Sequence, residues 1–432
     1  MRITYLTLVI ILFGSSCKKK CDSPGESCNE ELRPLVMVHG FLASGDTWAS
    51  QAQRFASNSY CSDRIFVFDW NTLNQGGQAT NIARLDSFVD AVINYTASSK
   101  VDLIGHSAGG GLGYSYCSDA TRAAKVAKYV HIGSSSQSKS AGPNGEIPTL
   151  CLSSSDDKVT GSSTITGATN INIPNQDHYE VATSKEAFLK IYLFLNDEIP
   201  MEADIVEDQQ IKVSGKMLML GENTPLADAE VSIYELNAAD GTRISSDPQF
   251  KVKTTLEGRF PEVILKKNTY YEFQAKSSDP NDRVVHYFRE PFIKSDKNVY
   301  LRMLPKSGLG AILLGGLPKD DRQSVLAVFT ANQAVINGRD QLFVDAVELS
   351  SAAISPASAT NIAFFCYDEN QNQQTDLTEP AVFGFLSSFL SGADVFFPTT
   401  PARSIHLQFN GRSMYAPSLK SESDGVMVAV FN

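Results

Sequence analysis

The sequence predicts a doubly wound, mainly parallel α/β sheet followed by all-β modules of the β-sandwich type. Three observations lead to that reading. Between Pro34 and Pro200, short apolar runs alternate with segments of helical periodicity. The apolar runs are continuous, as in strands buried on both faces of a parallel sheet. Beyond Pro200 the texture changes to short β-rich runs separated by Gly, Asn, Asp and Pro, the pattern of strands and turns. A chain of 432 residues is also long for one core. The expected parts are a leader at 1–17, a polar tether at 18–33, an α/β domain at 34–200, a β-sandwich of transthyretin-like kind at 205–305, and a second β-rich module at 306–432.

The leader has Arg2, then the apolar run ITYLTLVIILF, then GSSC ending at Cys17. That length suits an export signal better than a membrane span. Small residues before Cys17 resemble a lipobox, although Gly14 stands where leucine is usual. Lipidation at Cys17 is therefore expected, with plain secretion as the alternative. Acyl chains on Cys17 would attach the mature protein to a membrane surface, as an exported outer-membrane or periplasmic lipoprotein of a bacterium. Six further cysteines remain: Cys21, Cys28, Cys61, Cys117, Cys151 and Cys366. Cys21 with Cys28 would close a short loop, and Cys117 with Cys151 would tie a helix to a later strand. Cys366 as a free thiol stays open.

Within the α/β part, LVMVHG (35–40), RIFVFDW (64–70), VDLIG (101–105), VAKYVHIG (126–133) and IPTLCLSSS (147–155) read as strands. NIARLDSFVDAVINY places Ile82, Leu85, Phe88, Val89 and Val92 on one helical face. TSKEAFLKIYLFL reads as a last helix opened by a capping box of Thr183 and Glu186.

The chemistry centres on VDLIGHSAGGGLGY. Gly105-His106-Ser107-Ala108-Gly109 places a serine at a tight turn between a buried strand and a helix. Such a turn needs residues without bulk two positions to either side of the serine. The helix N-terminus behind it favours developing negative charge. Downstream, LCLSSSDDKVT ends a strand in Asp156 and Asp157, and NIPNQDHYEVATS places His178 before the last helix. Serine, acid and histidine in that order form a nucleophile, an orienting carboxylate and a general base. Spacing to Val159 favours Asp156 over Asp157 as the acid. Asp177 adjoins the histidine in sequence and is poorly placed to orient it. Phe41 after His39-Gly40, and Ala108 directly after the nucleophile, are the expected oxyanion donors through their backbone N–H groups. His131 reads as core, and Asp69 and Asp102 as structural. This chemistry calls for no cofactor and no metal.

These stretches together resemble lipases and esterases of the α/β-hydrolase superfamily. VMVHGF, VDLIGHSAGG, DHYEVATSKEAF, VSGK, YEFQ, HYFREPF and VAVFN are similar to archaeal long-chain lipases with a C-terminal β-domain, over nearly the whole mature chain. The resemblance implies hydrolysis of acyl esters or lipids, with the β-domain engaging lipid substrate. It also implies a triad acid at the end of the strand after the nucleophile helix in part of that family. Gly133 occupies that place here, so Asp156 rests on spacing alone. Neither the gap before VDLIG nor the Ser/Gly-rich stretch after Gly133 has room for a large helical lid.

Two alternatives remain open at this level: a surface binding protein whose hydrolase domain is inactive, and an amide or peptide hydrolase using the same triad. A net charge of −11 without a basic stripe argues against nucleic acid as a partner. Nothing in the pattern speaks to oligomeric state. DENQNQQTDLTE, 368–379, spaces Asp368, Asn370, Asn372, Asp376 and Glu379 in a way reminiscent of a calcium loop. Gln373 falls where such a loop takes glycine, and a polar hairpin loop is the default reading.

Overall fold

The computed structural model describes residues 28–73, 77–305, 311, 314–380, 382 and 389–432. Cys17, Cys21, the leader and most of the tether lie outside the described residues. Six strands, β1 Leu35–Val38, β2 Ile65–Phe68, β3 Val101–His106, β4 Val126–Ile132, β5 Thr149–Ser153 and β6 Thr169–Asn172, form one sheet in the order β2-β1-β3-β4-β5-β6. Every pairing is parallel. The sixth strand was not expected. Its residues alternate Thr, Asn, Ile, Asn and are largely exposed, so it lacks the apolar run by which a buried strand is recognised.

Helices α1 Ala49–Ala56, α2 Gln78–Thr96, α3 Ala108–Tyr116, α4 Ala120–Ala123, α5 Glu180–Thr183 and α6 Lys185–Asn196 connect or follow these strands. The sheet buries both faces. On one, Val36, Val38 and Leu103 pack with Leu85 and Val89 of α2 and Leu112 of α3. On the other, Leu35, Met37 and Ile104 pack with Phe55 of α1 and Phe188 and Ile191 of α6. Alternate residues of one strand thus feed two cores, which is why these strands read as unbroken apolar runs. The last helix is capped differently from expectation. Ser184, not Thr183, is its N-cap and accepts from the Ala187 N–H at 3.1 Å. Thr183 instead ends α5, its hydroxyl donating to the carbonyl oxygens of Tyr179 and Asn332 at 2.9 and 2.5 Å.

Among the described residues, the β-rich remainder holds three sheets. Arg259–Leu265, Ile211–Met219 and Asp296–Met303 form the first. An eight-stranded sheet runs Leu390–Asp394, Ala363–Tyr367, Leu326–Thr330, Val426–Phe431, Val285–Arg289, Tyr271–Lys276, Glu230–Glu235, Phe250–Lys253. The third joins Val347–Glu348, Leu342–Val344, Ser404–Phe409 and Arg412–Pro417. The parting expected near 305 does not separate two sheets. The final strand pairs in parallel with both Val285–Arg289 and Leu326–Thr330, so one core joins Phe273 and Val231 to Phe365 and Val428.

The β-region is fastened to the α/β sheet by buried polar contacts. Asp69 accepts from the Gly45 N–H at 2.9 Å and the Tyr300 hydroxyl at 2.9 Å, and pairs with Lys216. Arg302 pairs with Asp46 and donates to Ser44 Oγ. Within the α/β part itself, Asp102 pairs with Arg33. Asp69 and Asp102 are thus structural in this arrangement.

A disulfide joins Cys28 to Cys61, with Cα atoms 4.8 Å apart. The expected Cys21–Cys28 link is therefore corrected. Cys117 and Cys151 are buried free thiols rather than a bridge, and Cys366 is free as well. No helix among the described residues is long and apolar enough to cross a membrane.

Candidate active site

Ser107 sits between β3 and α3 with φ 54° and ψ −124°. A serine in that left-handed region is strained, and the surrounding packing holds it there. A Cβ on Gly105 would lie 2.5 Å from the Gly109 carbonyl oxygen, and one on Gly109 would collide with the carbonyl oxygens of His39 and Val38. The helix can therefore approach the sheet only because both flanking positions are glycine. Gly113 has the same role against Tyr129, whose ring lies 3.0 Å from where its Cβ would stand.

Three side chains form a continuous hydrogen-bonded line. The Ser107 hydroxyl is 3.0 Å from His178 Nε2, and His178 Nδ1 is 2.8 Å from Asp157 Oδ2. The histidine is 2% exposed and the aspartate side chain 0%. A charged carboxylate behind Nδ1 fixes the proton there and leaves Nε2 as the acceptor of the serine proton.

The carboxylate behind His178 Nδ1 is that of Asp157 and not Asp156, which differs from the expectation from spacing. Asp157 Oδ1 accepts from the N–H groups of Val159 at 2.7 Å and Thr160 at 3.1 Å, and Oδ2 from the Thr160 hydroxyl at 2.7 Å. The turn after β5 thus folds around the second carboxylate and directs it inward. Asp156 is exposed and accepts from the Asn175 N–H at 2.9 Å. Burial pushes the Asp157 pKa up, but the hydrogen bond and charge of His178, with those from Thr160 and Val159, outweigh it and leave about 2.

The strand-end loop with His39-Gly40-Phe41 passes beside the serine: a Cβ on Gly40 would lie 3.0 Å from Ser107 Cβ. Ala108 opens α3, so its N–H has no intrahelical acceptor. His39 Nδ1 donates to the Gly40 carbonyl oxygen at 2.9 Å, and its Nε2 accepts from the Trp70 N–H at 3.3 Å. His106, the variable residue of the turn, donates from Nε2 to the His178 carbonyl oxygen at 2.7 Å. It holds the histidine loop from below. Burial lowers the pKa of His106 to about 3 and lowers those of His39 and His131 as well.

These three neutral histidines set an acid limit. Their folded pKa values lie below the ordinary 6.5, so the unfolded chain takes up protons first. The stability they permit is complete above about pH 6.5 and is lost as pH falls below it; Asp157 extends the loss toward about pH 2. The thermal midpoint followed by circular dichroism is expected to fall steadily from pH 7 to pH 4, and a flat profile would contradict the burial of neutral imidazoles.

Two features at the site come from the β-region and were not foreseen. Asp177 Oδ1 accepts from the N–H groups of Tyr179 and Glu180 at 2.8 and 3.0 Å, and so caps the turn that carries His178. Its Oδ2 accepts from the Ala334 N–H and from Arg339, both at 2.9 Å, and Arg339 also pairs with Glu180 at 2.7 Å. The histidine loop is thereby clamped to residues more than a hundred positions away. Phe389 packs its ring 6.2 Å from His178, 6.4 Å from Tyr179 and 6.4 Å from Phe41, measured between centroids. Sequence offered no signal for either, because an arginine and a phenylalanine in a β-rich stretch are ordinary.

An apolar cavity opens beyond Phe41 toward the β-region, lined by Leu42, Leu73, Leu220, Leu314 and Phe329. A more polar groove, lined by Lys158, Ser358, Asn361 and Glu379, lies on the side of the acid loop, and Phe389 stands at the edge of both. Among the described residues, no group of three or more His, Cys, Asp and Glu side chains is arranged to hold a metal.

Residues 32–122 match the family model of class 2 lipases, and residues 209–305 match that of a lipase C-terminal domain. This is a lipase/esterase-type α/β hydrolase with a C-terminal β-region. A further C-terminal-domain model matches residues 319–429 of the hydrolase. Similar solved structures include a Bacillus licheniformis lipase at 16% identity, covering 40% of this chain and 96% of that one, with a TM-score of 0.33. A Rhodococcus esterase is 16% identical over 39% of this chain and 92% of its own, with a TM-score of 0.32. Naproxen esterase from Bacillus subtilis is 14% identical over 39% and 86%, with a TM-score of 0.31.

Proposed function

We propose that the hydrolase is a serine carboxylester hydrolase that cleaves acyl esters through a covalent acyl-enzyme. The single observation that supports this most is the unbroken line Ser107–His178–Asp157. In this reading His178 Nε2 removes the Ser107 proton as Oγ attacks the ester carbonyl. The N–H groups of Phe41 and Ala108 stabilise the oxyanion, and the α3 N-terminus adds to that field. The imidazolium, steadied by Asp157, then protonates the departing alkoxide. Water repeats the sequence on the acyl-enzyme, with His178 as base, and releases the acid.

We assign the acyl chain to the apolar cavity beyond Phe41, while the alcohol departs on the His178 side, since its oxygen must take the proton from Nε2. We further propose export with a lipid anchor at Cys17. The Cys28–Cys61 disulfide supports an oxidising compartment.

Turnover of p-nitrophenyl esters of increasing chain length, set beside p-nitroanilides of the same acyl groups, tests the assignment. Ester turnover that extends to long chains and exceeds anilide turnover throughout is the expected result. Failure to hydrolyse any ester would overturn it, and preference for anilides would replace it with the amidase reading.

A further inference from the structure

Residues 368–379, DENQNQQTDLTE, lie outside the Ser107–His178–Asp157 line, and their setting differs from the expected hairpin. Strands Ala363–Tyr367 and Leu390–Asp394 run parallel, with Tyr367 opposite Asp394. The segment therefore begins a crossover, and it winds back on itself at once. Counted from Asp368 as the first position, oxygen-bearing side chains fall at the first, third, fifth, ninth and twelfth: Asp368, Asn370, Asn372, Asp376 and Glu379. This is the spacing by which a short loop wraps a calcium ion. The sixth position of such loops turns sharply and takes glycine. Gln373 stands there with φ 63°, so the chain makes the turn although the residue disfavours it.

Asp368 is fully buried, and its carboxylate accepts from the N–H groups of Asn372 at 3.2 Å and Gln373 at 2.7 Å. The independent sign of a ligand comes from outside the loop. Asp394, at the end of the neighbouring strand, is 1% exposed. The loop encloses it, because Asp394 N–H donates to the Thr378 carbonyl oxygen at 2.8 Å and Leu377 N–H to the Asp394 carbonyl oxygen at 3.0 Å. Its Oδ2 accepts from Asn370 Nδ2 at 3.2 Å, and its Oδ1 has no hydrogen-bond partner. A buried carboxylate oxygen without a donor is costly, and the charges of Asp368 and Asp376 repel this one further. A cation among these groups removes both penalties.

We propose that Asp368, Asn370, Asn372, Asp376 and Asp394 form a calcium site in the β-region, with Glu379 closing the loop. Oxygen-only ligands suit a hard cation, and calcium accepts such irregular sets more readily than magnesium does. As the side chains stand, no three carboxylates among the described residues converge on one point. Asn370 and Asn372 direct Nδ2 at Asp376 Oδ2, at 3.0 and 2.8 Å, while their Oδ1 atoms accept from the Asn372 and Gln374 N–H groups at 2.9 and 2.7 Å, so calcium would draw both carboxamide oxygens away from those backbone bonds. The ion would pin the start of the crossover to the end of the strand that follows it. The far end of that strand pair begins at Leu390, next to Phe389 at the catalytic histidine, so the site braces the β-region wall of the active site without touching substrate.

The test uses the full chain, stripped with chelator and titrated with calcium or magnesium chloride by calorimetry and thermal melting. Calcium is expected to bind with a dissociation constant of about 10⁻⁵–10⁻³ M, as extracellular modules and sensor loops do. At about 10 mM calcium the melting temperature should rise by roughly 5 °C, with a much smaller response to magnesium. Asp376→Asn and Asp394→Asn should each lose the calcium response. Asp394→Asn should melt no lower than the wild type in chelator, because it removes an unpaired buried charge; Asp376, which is exposed, serves if that variant does not fold. A wild-type chain that shows neither binding heat nor a melting shift would overturn the site, as would Asn variants that keep the full response.

Discussion

Ser107→Ala is expected to lower kcat on p-nitrophenyl esters by about 10⁶-fold, to the level left by the oxyanion donors and binding alone. Alanine adopts the same left-handed backbone at the same cost as serine, and the glycines at 105 and 109 still admit the helix. Melting temperature should therefore stay close to the wild type. Loss of activity with retained fold separates a nucleophile from a turn residue. If Ser107→Ala kept substantial ester turnover, the attacking group would have to be sought elsewhere.

The second large effect falls on the carboxylate pair. Asp157→Asn is expected to reduce kcat by about 10⁴-fold. A carboxamide cannot hold Nδ1–H with a charge, and it can donate to Nδ1 and so favour the tautomer whose Nε2 already carries a proton. It would also exchange a carboxylate that receives the Val159 and Thr160 N–H groups and the Thr160 hydroxyl for a weaker acceptor, so a modest fall in stability should accompany it. Asp156→Asn leaves the imidazole untouched and should turn over esters at near the wild-type rate. Steady-state kinetics on the two variants decides between neighbouring residues. A large loss in Asp156→Asn with little in Asp157→Asn would reverse the assignment.

The same pair shows where sequence stopped being informative. The five apolar runs gave their strands to within a few residues because they are buried on both faces, and four of the five feed two cores. The nucleophile turn was legible because its geometry forbids side chains at Gly105 and Gly109, which leaves glycine as the mark. The choice between Asp156 and Asp157 was not legible. It depends on how a four-residue turn rolls after β5, and a shift of one residue exchanges the inward and outward carboxylates. Nor could the chain announce that Arg339 would clamp Asp177, or that Phe389 would pack against the His178 imidazole. Both contacts arise from the docking of the β-region on the sheet, a long-range event with no local signature. The joined eight-stranded sheet was hidden for a similar reason: the last strand, VMVAVF, reads as a strand, but nothing in it names its partners. Residues 368–379 were half legible, their spacing visible and the decisive Asp394 lying fifteen positions beyond.

The account depends on a serine hydroxyl made reactive by the imidazole and carboxylate behind it. Labelling the wild-type chain with a fluorophosphonate and locating the adduct by peptide mass spectrometry examines this directly. One adduct per chain, on Ser107, lost in Ser107→Ala and strongly slowed in Asp157→Asn, is the predicted result. No adduct on the folded chain, or an adduct at another residue with Ser107 unmodified, would contradict it.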